Sequence, residues 1–333
     1  MLVFLIVVAT VAIGLIAAYQ FWKHNEAARL VSESRVIATR KGPVEFAMIG
    51  DARATVLVIH GSPGGYDQGT LLARRAIEPG LRFIAVSRPG YLRTPLVVGR
   101  TPEEQGDAYA ALLDALGISK AAIIAISGGG PSALQFCLRH PDRCWGLVLV
   151  SALAARWSYA EQLRSSSFVT RVLVSGLQRQ PVMNLFIMTV SCWPSLLALI
   201  SRMSGTDQEL RQRLFADAEN MELTQEALRC TCMMSYRRTG LDNDLRQFAA
   251  LPAYPVAQIV APTLVLHGTA DKNVRFEHAA YASRFIPGAR LVAVRGADHS
   301  LYITHKEKIW PAMSEFLKVT RPPEDEASTT CGR

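Results

Sequence analysis

Short runs of apolar residues alternate with amphipathic stretches along most of the chain after residue 43. The runs are "VEFAMI", "ATVLVI", "RFIAV", "AAIIAI", "CWGLVLV", "TLVLHG" and "ARLVAV", and turn-forming residues follow most of them. Runs that are apolar on both faces are typical of parallel strands covered by helices on each side. We therefore predict an α/β fold with a mostly parallel central sheet flanked by helices.

The strand pattern breaks between residues 155 and 248, where only helical stretches occur. It resumes with two more strands and a last helix, so we interpret the break as an insertion into one domain. We predict a core at 43–154 and 249–320, a helical cap at 155–248 and a disordered tail at 321–333.

A different pattern opens the chain, because residues 2–22 carry no charge. A run of this length is sufficient to cross a bilayer as a helix, and the aromatic residues at its end suit a membrane interface. We predict a transmembrane anchor at 1–22 and a juxtamembrane linker at 23–42. A cleaved signal peptide is the alternative, but the run lacks a clear basic start and cleavage site.

Basic residues outnumber acidic ones directly after this run. They are Lys23, Arg29, Arg35, Arg40 and Lys41, against Glu26 and Glu33. Since basic residues near a span stay on the cytoplasmic side, we predict a single-pass protein with its folded domain in the cytoplasm. A lumenal or external domain behind a signal anchor is the alternative.

Composition and charge narrow the class of protein. Half of the 333 residues are hydrophobic, so a large core is possible, and the formal net charge is +8. The basic residues are scattered and are not interleaved with aromatic residues, so we predict no nucleic-acid partner. The six cysteines are predicted to be reduced thiols, because a chain of this length needs no disulfides and Cys230-x-Cys232 lacks a second ligand pair for zinc.

The candidate chemistry begins at Ser127, between the apolar run "AAIIAI" and a helix predicted to start near Pro131. A sharp turn from strand to helix needs small residues two positions before and after the serine, and Ala125 and Gly129 meet that need. This is the nucleophile elbow G-x-S-x-G with alanine at the first position. The alternative is a serine that only caps the helix. The phosphate-binding glycine motifs are not present.

Three other segments end strands with residues that suit the same chemistry. They are "VLVIHGSPGG" with His60-Gly61-Ser62, "LVLHGTADKNV" with Asp271, and "LVAVRGADHSLYI" with His299. The chain order Ser127, Asp271, His299 is nucleophile, acid and base. On these four motifs, residues 43–320 resemble a serine hydrolase of the α/β-hydrolase superfamily with an inserted cap.

The resemblance implies a role for each residue. Ser127, Asp271 and His299 would form the catalytic triad, and the backbone amides of Ser62 and Gly128 would bind the oxyanion. No metal or organic cofactor is implied. His60 is expected to be structural, and Asp298 is a poor alternative to Asp271 because neighbours in sequence point apart.

One further loop, "SRPGYLRTPL" at 87–96, resembles the R-P-G-x-G-x-S loop of capped members. Leu92 replaces the second glycine, which puts only the shape of this loop in question. The resemblance extends to esterases and lipases and to proline-iminopeptidase-type members.

We predict a carboxylesterase or lipase-like enzyme with a small, lipophilic ester as its substrate and a membrane as its partner. The cap supports an apolar substrate only weakly, because its methionines are equally suited to packing between helices. An aminopeptidase of the proline-iminopeptidase type and a cofactor-free haloperoxidase use the same triad and are alternatives. A hydrolase-fold binding protein is the non-enzyme alternative. The oligomeric state is not predicted.

Overall fold

A single eight-stranded sheet forms the centre of the protein in the computed structural model. The structure describes residues 1–76, 80–164, 180–193, 195–196, 199, 208–215 and 218–323. The strands are β1 Arg35–Thr39, β2 Gly42–Ile49, β3 Ala54–Ile59, β4 Leu81–Val86, β5 Ala121–Ile126, β6 Cys144–Val150, β7 Thr263–Gly268 and β8 Arg290–Val294. Their order in the sheet is β1-β2-β4-β3-β5-β6-β7-β8.

Helices cover both faces of this sheet. They are α1 Leu2–Ser32, α2 Tyr66–Arg75, α3 Pro102–Ala115, α4 Gly130–Arg139, α5 Tyr159–Arg164, α6 Gln180–Cys192, α7 Gln208–Leu214, α8 Ala218–Arg229, α9 Arg238–Ala249, α10 Glu277–Phe285, α11 Leu301–Thr304 and α12 Lys306–Thr320. Helix α3 begins with a capping box, in which Thr101 and Glu104 are bonded reciprocally.

The prediction of a mostly parallel sheet is confirmed. Strands β4, β3, β5, β6, β7 and β8 run parallel to one another, whereas β2 runs antiparallel to β1 and β4. Strand β5 is buried along its whole length. Its alternate side chains enter two different cores, with Ile123 and Ala125 in one and Ala122 and Ile124 in the other. This two-sided burial explains why the sequence of β5 is apolar without alternation.

The structure differs from the sequence prediction at residues 23–42. Helix α1 does not end at Trp22 but continues to Ser32, and β1 follows after two residues. Glu26 and Leu30 on the continued helix are buried against the domain. The residues interpreted as a linker are therefore part of the fold, because loss of hydropathy marks the end of an apolar segment and not the end of a helix.

The cap helices α5 to α9 lie between β6 and β7, in the region predicted as an insertion. The stretches at 165–179 and 200–207 and the tail at 324–333 lie outside the described residues, so the predicted disorder of the tail is not addressed. Four cysteines are described as buried free thiols: Cys137, Cys144, Cys230 and Cys232. The side chains of Cys192 and Cys331 lie outside the described part of the chain.

Candidate active site

The candidate residues lie where parallel strands end. Ser127 follows β5, Asp271 lies in the loop after β7, and His299 lies in the loop after β8. Because parallel strands present their carboxyl ends at one edge of the sheet, the three loops share that edge. The structure thus brings together residues that are far apart in sequence.

Ser127 occupies a backbone conformation that few residues adopt. Its φ is +48°, in the left-handed region, at the turn between β5 and α4. A side chain on Gly129 would approach the carbonyl oxygens of Ile59 and His60 to 2.8 Å, and one on Gly130 would overlap the carbonyl oxygen of Leu153. The glycines after Ser127 are therefore required by the close approach of neighbouring backbones.

His299 is oriented by a carboxylate. Its Nδ1 lies 2.7 Å from Oδ2 of Asp271, whose side chain is completely buried. The other oxygen of Asp271 accepts hydrogen bonds from the backbone amides of Asn273 at 2.8 Å and Val274 at 2.9 Å. With Nδ1 donating to Asp271, Nε2 of His299 is left as the basic nitrogen.

Burial alone would raise the pKa of Asp271. The hydrogen bond and charge of His299 and the Val274 amide oppose this effect and hold its pKa below the usual value. Asp271 is therefore ionised at neutral pH and suited to stabilise a protonated imidazole. The neighbouring Asp298 accepts instead from the Ser300 amide at 2.9 Å, and burial raises its pKa.

Two further histidines lie behind this pair and were not singled out from the sequence. Nε2 of His267 donates to the Val274 carbonyl at 2.8 Å and lies 3.5 Å from Asp271. His278 is buried nearby, with its Nδ1 3.3 Å from the Ala154 amide. Burial lowers the pKa of His267, and it lowers the pKa of His278 to about 4. Both rings are therefore neutral, and His267 supports the loop that carries Asp271 through its bond to Val274.

The loop after β3 lies directly against Ser127. A side chain on Gly61 would approach Cβ of Ser127 to 3.0 Å, and one on Gly128 would overlap the hydroxyl of Ser62. The Gly61 amide is already bonded to Gln68 at 2.7 Å. Among the described residues, the amides of Ser62 and Gly128 have no acceptor. Two free donors thus lie beside Ser127.

His60 holds this loop and takes no part in the proton chemistry. Its Nδ1 donates to the Gly61 carbonyl at 2.7 Å, and its Nε2 accepts from the Arg88 amide at 2.9 Å. The ring is completely buried. Burial and the nearby positive charge of Arg88 lower its pKa well below the usual value, so the ring is neutral.

A buried ion pair connects this loop to the cap. Asp244 on α9 binds the guanidinium of Arg88 and the hydroxyl of Ser62, and it accepts from Tyr91 at 2.5 Å. The Arg88 guanidinium also donates to the Ser62 hydroxyl at 2.7 Å. Burial would lower the pKa of Arg88, but the Asp244 carboxylate outweighs burial and raises it.

Arg88 lies in the loop motif at 87–96, whereas no motif in the sequence indicates a role for Asp244. Their separation of 156 positions gives no local signal of the pairing. The structure also shows the shape of this loop at Leu92, which replaces the second glycine of the motif and has a φ of +49°. The loop keeps the left-handed turn that glycine would allow. The backbone amide of Leu92 donates a hydrogen bond to the Tyr236 carbonyl at 2.7 Å, which holds Leu92 in this conformation.

One contact of a complete triad is missing from the structure. No hydrogen bond joins the Ser127 hydroxyl to His299, both of which are described residues. The structure therefore contains two separate groupings at one sheet edge, Ser127 with the amides of Ser62 and Gly128, and His299 with Asp271. Within the described ranges, no cluster of three metal-binding side chains occurs.

Comparisons with known proteins identify the family of the chain. Residues 56–310 match the model of the alpha/beta hydrolase family. An alpha/beta hydrolase fold protein from Nakamurella multipartita is 33% identical, with a TM-score of 0.67 over 86% of this chain and 99% of that one. An esterase from Thermogutta terrifontis shares the fold, with 22% identity and a TM-score of 0.61 over 87% of this chain and 99% of that one.

A second kind of hydrolase is also similar to this chain. A 2-hydroxy-6-oxononadienedioate/2-hydroxy-6-oxononatrienedioate hydrolase from Cupriavidus pinatubonensis is 27% identical over 307 residues. The match covers 85% of this chain and 95% of that protein.

Proposed function

The chain belongs to the alpha/beta hydrolase family, and from this premise we propose that it is a serine hydrolase of carboxylic esters, anchored in a membrane by α1. The observation that carries the proposal is the bond from His299 to the buried Asp271 at 2.7 Å, at the sheet edge where the Ser127 elbow lies. A serine, an oriented histidine and two free amides are the parts that acyl transfer needs.

In this mechanism the Ser127 oxygen attacks the ester carbonyl carbon and its proton passes to Nε2 of His299. The carbonyl oxygen becomes an oxyanion, which the amides of Ser62 and Gly128 stabilise. The intermediate collapses, and the alcohol leaves with the proton from His299. Water then attacks the acyl-enzyme by the same steps and releases the acid and the serine. Asp271 stabilises the imidazolium in both halves.

The first of these steps needs a bond between Ser127 and His299. Such bonds are often long in the absence of substrate and tighten in the reacting complex. We expect the bond to form by side-chain rotation, because His299 is half-exposed and is tied to Asp271 only through Nδ1.

The relatives suggest a second candidate, hydrolysis of a carbon–carbon bond in a dienedioate. A dioate carries two carboxylates, and its recognition calls for positive charge that is not already neutralised. Arg88, the described cation that contacts Ser62, is bound to Asp244. This pairing supports an uncharged ester over a dioate.

The aminopeptidase alternative calls for a free carboxylate in the cap to bind a substrate amine. Glu219 is one of three glutamates on α8, and it pairs with Arg75 at 2.8 Å and with Lys306. The ester proposal needs no such group.

The membrane part of the proposal rests on α1. Its segment Ile6–Ser32 is long and apolar enough to cross a membrane, by length and composition, as a signal sequence also is. The described side chains between residues 3 and 18 are exposed, so they have no contact in the domain that would account for their apolar character. The excess of basic residues after the span supports a cytoplasmic domain, which we include in this proposal.

Fluorophosphonate labelling followed by an ester chain-length panel tests the function. Wild-type protein is expected to label, and Ser127→Ala is expected to lose labelling and about a millionfold in kcat. Ser132→Ala, a buried hydroxyl in the next helix, is the matched control and should keep labelling. Labelling of a folded Ser127→Ala protein would contradict the proposal, and cleavage of a dienedioate in preference to every ester would replace it with the second candidate.

A further inference from the structure

Helix α1 consists of two parts with different surroundings. Tyr19, Trp22, Glu26 and Leu30 recur at helical spacing and face the domain, partly or fully buried. The described side chains of residues 3–18 contact nothing that buries them. At 1.5 Å per residue, residues 2–18 extend about 25 Å, close to the thickness of a hydrocarbon core. Tyr19 and Trp22 therefore mark the level at which α1 leaves the domain.

The cap helix α6 packs against α1 at this level. Nδ2 of Asn184 donates to the Tyr19 hydroxyl at 3.3 Å. Trp22 of α1 and Phe186 of α6 pack on the same cluster of buried residues, which includes Ile187. The face of α6 that carries Asn184, Ile187 and Val190 is completely buried or nearly so. Helix α6 thus lies beside the point where α1 emerges.

The opposite face of α6 is apolar and exposed. Val182 and Leu185 on α6 and Trp193 directly after its end are 46%, 51% and 65% exposed. The amide of Trp193 donates to the Thr189 carbonyl at 2.9 Å, so the helical spacing places all three along one stripe with Thr189. No charged residue occurs between Gln180 and Trp193. The cap helix α9, by contrast, presents the exposed ion pair Arg238–Asp242 on its outer face. A cap helix that faces only water has no need of an apolar outer stripe.

We propose that this stripe of α6, formed by Val182, Leu185 and Trp193, lies in the headgroup region of the bilayer that α1 crosses. The proposal rests on the membrane anchor of the proposed function. Helix α6 has 13 residues, too few to span a membrane but of the length typical of interfacial segments. Its position beside Tyr19 and Trp22 sets its depth, and tryptophan is the residue that interfaces favour.

The consequence is a cap that rests on the lipid surface. A lipophilic ester dissolved in the bilayer then meets the cap without first entering water. The domain is also held at two points, by α1 and by the stripe, so it cannot tilt freely over the membrane.

Lipid quenching of tryptophan fluorescence tests the stripe in the full chain. The protein is reconstituted in nanodiscs of phosphatidylcholine brominated near the headgroup end of its acyl chains. The emission lost in Trp193→Phe relative to wild type reports on Trp193, that lost in Trp22→Phe on α1, and that lost in Trp310→Phe on a half-buried tryptophan of α12. We expect the emission of Trp193 and Trp22 to be quenched and that of Trp310 to be unaffected.

A charge on the stripe gives a second test. Leu185→Glu is expected to lower the quenching of Trp193 while Trp22 stays quenched, because a carboxylate avoids the bilayer. Val260→Glu is the matched control, since Val260 is also exposed but lies just before β7, at the other edge of the sheet. It should leave Trp193 quenched.

Four results separate the possible failures. Unquenched Trp193 with quenched Trp22 overturns the stripe proposal and leaves the anchor intact. Release of the full chain by carbonate overturns the anchor, and loss of fluorophosphonate labelling concerns Ser127 alone. If the emission of Trp193 is unaffected by brominated lipid but changes when the protein is diluted in detergent, the stripe binds a second copy of the chain. This result overturns the lipid proposal.

Discussion

The two halves of the candidate site are held in different ways. The half that carries Ser127 is fixed by packing, because Gly129 and Gly130 leave no room for a side chain between neighbouring backbones. The half that carries His299 is fixed by hydrogen bonds, since Asp271 binds the ring and two backbone amides bind Asp271. We therefore expect the first half to be sensitive to any added side-chain atom. The second half should be sensitive to a change of charge even when the shape of the side chain is kept.

Among substitutions that keep the shape of a side chain, the largest expected effect comes from removing the charge of Asp271 in the second half. Asp271→Asn is expected to lower kcat by roughly ten-thousandfold, because an amide in place of the carboxylate favours the wrong tautomer of His299. Steady-state hydrolysis of a p-nitrophenyl ester measures the loss. Asp298→Asn is the control and should change kcat only slightly, because the amide oxygen can still accept from Ser300. A reversed order of the two effects would assign the acid to Asp298.

The ion pair behind the first half is expected to matter for stability. Asp244→Asn leaves the guanidinium of Arg88 buried without a counter-charge, which should lower the free energy of unfolding by about 3–5 kcal/mol. Asp242→Asn on the same helix is the matched control, because its pair with Arg238 is exposed and worth about 0.3–0.5 kcal/mol. Urea unfolding of both variants makes the measurement. Equal losses in the two variants would show that the buried pair has no special role.

Adding one carbon to the first half tests its steric character. Gly128→Ala would place Cβ against the hydroxyl of Ser62, which Asp244 and Arg88 hold in place. We expect kcat/KM to fall on the order of a hundredfold through displacement of an oxyanion donor. Ser62→Gly in the same chain removes the obstructing hydroxyl and should restore part of the activity. If the double variant is no better than Gly128→Ala, the clash is not the cause.

The last expected effect concerns acid stability near the second half, and it develops gradually over a range of pH. His278 is buried and neutral, with its pKa lowered to about 4. In the unfolded chain, His278 takes up a proton below an ordinary pKa of about 6.5. The contribution of neutral His278 to the free energy of unfolding is therefore complete above that pH and is lost as pH falls from about 6.5 to about 4. The contribution is about 3 kcal/mol over this window. Urea unfolding of His278→Gln at a series of pH values should show that the free energy of unfolding falls less steeply with decreasing pH than in wild type. An unchanged slope would exclude His278 as a source of the acid sensitivity.

The comparison also explains what could be predicted from the sequence. The strands and the positions of Ser127, Asp271 and His299 in their loops followed from apolar runs that end in turn residues, which are local signals. Strand β1 could not be predicted because it is short and half-exposed, begins with Arg35 and is followed by Arg40 and Lys41. The pairing of Asp244 with Arg88 depends on how the cap folds back on the sheet. No local pattern encodes such a contact.

Helix α1 has a consequence for angle as well as for distance. Its apolar part and its domain-bound part belong to one continuous helix, with Glu26 and Leu30 buried in the domain. Each residue of a helix turns the chain by about 100° around its axis. With α1 in a bilayer, one residue inserted between Ala18 and Tyr19 would rotate the apolar part by that angle relative to the domain, and four residues would nearly restore the original facing at greater height. The length of this segment therefore sets both the height of the domain above the bilayer and its rotation relative to the apolar part of α1.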